Sequence, residues 1–156
     1  MGNVIKDISI NSSIFVLNAN ASNVYGLGNS AANAHIVNTS LIIQTNSTTN
    51  TFGLFITVLD VTLSSVNHSI TLSASNYASG CVQTSSGKIT INNTKITVTI
   101  PAAGLYTSGL ANTTNGLVYC NNSNFSTSIT STLSTTQISG LILATTAEVN
   151  ISSCVI

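Results

Sequence analysis

Sixty-seven of the 156 residues are Asn, Ser or Thr and only six carry a formal charge, which closes most of the routes by which a chain of this length folds. Asn, Ser and Thr hydrogen-bond to nearby backbone and are poor in helix interiors. The strong helix formers are scarce, with no Arg, one Glu and one Met. Ile, Val and Thr dominate instead, and their branched side chains suit a pleated surface. The chain is therefore expected to be all-β with little helix.

Runs of apolar/polar alternation recur between turn clusters, among them 35–44, 52–63, 68–75, 88–92, 95–100, 116–120, 126–133, 138–145 and 148–156. Many short strands separated by turn chemistry predict a β-sandwich of immunoglobulin-like or jelly-roll type. The clearest hairpin is 88–100, in which Ile89 and Ile91 precede Asn92-Asn93, a pair that tolerates positive φ, and Ile96, Val98 and Ile100 resume the period. Pro101 should close its second arm. A length of 156 residues suits one core. The division expected is a donor strand over 1–18, a linker or hinge over 19–34, and a β-sandwich domain over 35–156.

The functional signal lies in residues 4–18. With a period of two, Ile8, Ile10, Ser12, Ile14 and Val16 share one face, and Asp7, Ser9, Asn11, Ser13, Phe15 and Leu17 share the other. A long terminal strand on an Asn/Ala/Ser/Gly tether suits donation into the sheet of a neighbouring subunit. Such a contact is head-to-tail and generates a filament. The tether equally permits the strand to fold back as the first strand of its own domain.

With three lysines, three acids and two histidines, there is little proton linkage, so stability should be nearly flat with pH. Solubility must come from elsewhere. Ten Asn-x-Ser/Thr sequons are available, at Asn11, Asn20, Asn38, Asn46, Asn67, Asn92, Asn112, Asn121, Asn124 and Asn150, and N-linked glycans on them would form a hydrophilic coat. Cys81, Cys120 and Cys154 allow one disulfide in three pairings. Sequons and cysteines together favour an extracellular, oxidising location. The start of the chain lacks an apolar signal segment and reads as a mature, processed form. No run approaches the eighteen or so apolar residues that cross a bilayer as a helix.

The near-absence of charge, the sequon load, the Thr/Ser/Asn/Ile composition and the alternating strand from Val4 to Asn18 resemble those of thread-type and bundling pilins of thermoacidophilic archaea. Those are glycosylated β-sandwiches joined by donor-strand complementation. The resemblance implies an extracellular pilus subunit that is a homo-polymer, with residues 4–18 as donor and a role in adhesion or biofilm formation. It departs from the type IV pilins of the same organisms, whose N-terminal segment is a long apolar helix. The alternative is a self-contained secreted or surface adhesin or binding module.

Little chemistry competes with a structural role. Asp60 is the one acid in a strongly apolar run, and only His35 or His68 could serve it as a base. An isopeptide bond would need Asp60 or Glu148 beside a lysine, with Lys6 the candidate that could link subunits. Neither His35, His68 nor the cysteines have metal-ligand spacing, so no metal or other cofactor is expected. Three lysines and no Arg make no basic patch for nucleic acid. The chain reads as a non-enzyme.

Overall fold

The computed structural model describes residues 4–73, 76–102, 105–130, 137–146 and 148–156. They are all-β, but the β-sandwich expectation is overturned: the strands pair in parallel and wind as a β-solenoid of about five turns. The first turn holds β1 (Val4–Asn11) and β2 (Ile14–Tyr25), and the second holds β3 (Gly28–Val37) and β4 (Ser40–Phe52). The third holds β5 (Phe55–Ser64), β6 (Asn67–Ser73) and β7 (Tyr77–Ser79). The fourth divides into β8 (Val82–Ser85), β9 (Ile89–Asn92), β10 (Lys95–Ala102) and β11 (Tyr106–Ser108). The fifth repeats that division as β12 (Ala111–Thr114), β13 (Val118–Asn121), β14 (Asn124–Ile129) and β15 (Gln137–Ser139). A sixth begins with β16 (Ile142–Thr145) and β17 (Val149–Ser152).

Two sheets result. One, sheet A, runs from β1 through β3 and β5 to β8/β9, β12/β13 and β16/β17; the other, sheet B, runs from β2 through β4 to β6/β7, β10/β11 and β14/β15. Each strand pairs with the strand one turn away, so equivalent residues stack in columns. Ile8, Ala34, Val61, Ile89, Val118 and Val149 form one such column, and Ile10, Ile36, Leu63, Ile91, Cys120 and Ile151 form the next. From sheet B come Phe15, Leu41, His68, Ile96 and Phe125. These columns meet in a single buried core between the sheets. Such stacking makes each turn depend on its neighbours, as in other solenoids.

Two corners close each turn, for different physical reasons. Between sheets A and B the chain bends at Ser12, Asn38, Ser65, Asn93, Asn122 and Ser153, all with φ between 48° and 54°. Asn visits this left-handed region more readily than other non-glycine residues because its short polar side chain bonds locally. A ladder of backbone bonds ties the corner together: the N–H groups of Ser12, Asn38, Ser65, Asn93 and Asn122 donate to the carbonyls of Val37, Ser64, Asn92, Asn121 and Ser152 at 3.0–3.1 Å. The opposite corner carries Gly26, Gly53, Gly80, Gly109 and Gly140. A Cβ on Gly80 would lie 1.9 Å from the Gly109 carbonyl oxygen, so only glycine lets successive turns approach there.

The left-handed corner explains the local corrections. Residues 88–100 are no hairpin: of the Asn92-Asn93 pair only Asn93 has a positive φ, and β9 then pairs with β5 and β13, and β10 with β6 and β14. Pro101 lies within β10, exposed, beside a register shift between Thr99 and Ala102. The proposed donor strand breaks at Ser12, which inverts its facing. Ile8 and Ile10 pack towards the core, whereas Ile14 and Val16 point outward and are 77% and 57% exposed. Residues 19–34 run mostly as strand, in β2 and β3, and not as a tether.

Candidate functional site

Among the described residues the titratable groups do not converge. His68 is fully buried between Leu41 and Ile96, its Nδ1 3.8 Å from the Cys81 sulfur and its Nε2 without a partner. Burial pushes the His68 pKa down to about 3 and the Cys81 thiol up to about 12. Both are neutral core groups, closed to solvent. His35 lies on the outer face of sheet A, exposed. Asp60 is half-buried and accepts a bond from the Lys88 backbone N–H at 2.5 Å. The Lys88 ammonium lies 4.5 Å above the Tyr119 ring, and Asp7 accepts a bond from the Asn33 amide at 2.6 Å. Strand β3 separates the strands carrying Lys6 and Asp60, about 10 Å at roughly 4.8 Å per strand, too far for an isopeptide bond within the chain. Among the described residues no group of three or more His, Cys, Asp or Glu could hold a metal.

The sequons sort by position. Asn11, Asn38, Asn67, Asn92, Asn121 and Asn124 lie at or beside the left-handed corner, and Asn150 lies in β17 just before its last member. Asn20 and Asn46 are paired on the outer face of sheet B. Asn112 is buried at 4% exposure, and its Oδ1 accepts a bond from the Ser108 hydroxyl. Three corner sequons have a structural use of their own. The hydroxyls of Ser13, Thr94 and Ser123 donate to the carbonyls of Asn11, Asn92 and Asn121 at 2.8–2.9 Å. Thr39 makes the same bond to Val37. Asn-x-Ser/Thr is thus what this corner asks for: a last strand residue, a left-handed residue and a hydroxyl that returns to the carbonyl two positions back.

Of the three cysteine pairings, Cys120–Cys154 is formed and Cys81 is a buried free thiol. Simple alternation from Asn150 would turn Cys154 away from the core, but the corner at Ser153 turns it inward to reach Cys120. The bridge pins the sixth turn to the fifth.

The features that sequence reasoning missed are the outermost described strands of the two sheets. On one side these are β1 and β2, and on the other β16/β17 and β14/β15. Apolar side chains gather there: Ile14 and Val16 on the first side, and on the second Ile151, Val155 and Ile156, which are 45%, 64% and 61% exposed. The available signal was the recurring Gly-Leu or Gly-Cys pair at 26, 53, 80, 109 and 140, which marks the turns. A groove of about 630 Å³ on the outer face of sheet B is lined by Asn18, Ala19, Asn20, Gln44, Thr45, Asn46 and Thr71. The described residues form a charge-poor parallel β-solenoid. No family model, curated protein or solved structure matches the chain.

Proposed function

We propose that the chain is a structural, non-enzymatic subunit of an extracellular filament that grows head to tail, kept in water by amides, hydroxyls and N-linked glycans at its accessible sequons. The observation that carries this reading is that the described strands stack in parallel along one axis and that the outermost of them carry exposed apolar side chains, Ile14 and Val16 on one side and Ile151 and Val155 on the other. Open parallel edges template further strands, and different surfaces meeting head to tail give a contact that does not close. Residues 4–18 are already paired with β3 and β4 of their own chain, so growth proceeds by adding edge to edge, without donation of that segment. Negative-stain electron microscopy of the purified protein over a concentration series tests this. Unbranched filaments are expected; monodisperse particles at every concentration would end the filament reading.

One observation favours a second reading as a surface binding module: the uncharged, amide-lined groove at Asn18, Asn20, Gln44, Asn46 and Thr71 suits the hydroxyls of a neutral polysaccharide. Titration with neutral oligosaccharides would show saturable heat under this reading and none under the first.

A further inference from the structure

We infer that the filament joint continues the chain's own register, stacking the sixth turn of one copy on the first turn of a second, with Val149 over Ile8, Ile151 over Ile10 and Val155 over Ile14 of that copy. The inference rests on the filament reading above and names its contact surface. Three observations support it.

The first is column continuity. The two inward columns of sheet A begin at Ile8 and Ile10 and end at Val149 and Ile151, so a second copy would meet like with like along both. The second comes from an outward column, Ile14, Ser40, Asn67, Lys95, Asn124 and Val155. Its four middle members are polar or charged, as a solvent-facing sheet surface requires. Only its two ends are apolar, and they are 77% and 64% exposed. In the joint these two cover one another. The third is the corner ladder of hydrogen bonds, which ends at Ser153: its N–H has no partner among the described residues, although the N–H groups above it in that column donate to the next turn. In the joint it donates to the Asn11 carbonyl of the second copy, as Asn122 donates to Ser152 at 3.0 Å within the chain.

Among the described residues sheet B contributes only the Val155 bridge to the sixth layer. The joint is therefore carried by sheet A and the left-handed corner, and it sets the subunit repeat at six strand layers, about 29 Å at roughly 4.8 Å each.

The test exploits the exposure of Ile14 and Val155, which leaves the single-chain fold indifferent to what replaces them. One variant carries Ile14→Lys with Val155→Lys, placing like charges opposite one another at every joint; another carries Ile14→Glu with Val155→Lys, placing opposite charges there. Thermal melting of unassembled protein should be the same for both. The Lys/Lys variant should need at least about tenfold more protein to form filaments, a fold-change of roughly one logarithmic unit in the association constant, and the Glu/Lys variant should restore assembly. If the unmodified chain forms filaments and the Lys/Lys variant forms them equally well, or if both variants fail, this register is overturned while the filament reading stands. If the unmodified chain forms none, the filament reading itself fails.

Discussion

His68 occupies a core column between Leu41 and Ile96, and burial holds its ring there in the neutral form. Its folded pKa, near 3, lies below its ordinary value near 6.5, so between those values the unfolded chain binds more protons than the folded one. Stability is then complete above about pH 6.5 and falls with acid by about 1.4 kcal/mol per pH unit until about pH 3. The scarcity of charge alone leads to a flat pH response; one buried imidazole breaks it. Urea unfolding at pH 7 and pH 4 should show the protein about 3 kcal/mol less stable in acid. The variant His68→Leu should show no such difference and be more stable at pH 7 as well, because the unpartnered Nε2 is gone. An equal acid loss in the variant would show that another group titrates. The burial of His68 was not legible in the sequence, where it follows Asn67 and precedes Ser69 in a polar setting; the left-handed corner at Ser65 decides which of these three turns inward.

At the scale of elements, the strands were legible and their ends were not. The alternating runs at 35–44 and 52–63 each read as one strand, yet the first contains the corner at Asn38 and the second the corner at Gly53. The left-handed residue Asn38 changes which parity of side chain faces inward while leaving an apolar/polar rhythm on both sides, so the rhythm conceals that bend. The same bend dispersed Ile8, Ile10, Ser12, Ile14 and Val16, which share a face only if the strand continues straight. The Asn92-Asn93 pair was legible as a place that tolerates positive φ but not as a corner between sheets, because local sequence is silent on the partner of each arm. The corner also supplies a test. Ser65 stands between Asn38 and Asn93 in the left-handed column, and below it the Asn122 amide donates to Asn93 Oδ1 at 2.7 Å. Ser65→Asn should extend that amide ladder and ease the backbone, raising stability by about 0.5–1 kcal/mol in thermal or urea unfolding. A loss of stability would mean that the amide does not fit the corner.

For the whole molecule, the missed signal was a repeat. Equivalent residues lie 26 apart at Val4 and Ser30, 27 at Ser30 and Thr57, 28 at Val61 and Ile89, 29 at Ile89 and Val118, and 31 at Val118 and Val149. A drifting period evades a search at fixed spacing, and the resulting many-strand pattern is shared with sandwiches. All-β character survives that error because it depends on composition, not on topology. Quasi-linear architecture makes stability local, and Cys120–Cys154 bears on the last turns alone. Closing a segment of 34 residues contributes about 3–4 kcal/mol. After reduction, or in Cys154→Ser, amide exchange should quicken in β16 and β17 and hold steady in β3 to β5. Uniform quickening would show that the turns unfold as one unit.

Fibre diffraction from aligned filaments tests the account most directly. Stacked solenoids set every strand across the filament axis, which predicts a sharp meridional reflection near 4.8 Å and an axial subunit repeat of about 29 Å, six strand layers. Filaments without the 4.8 Å meridional reflection, or with strands running along the axis, would contradict it.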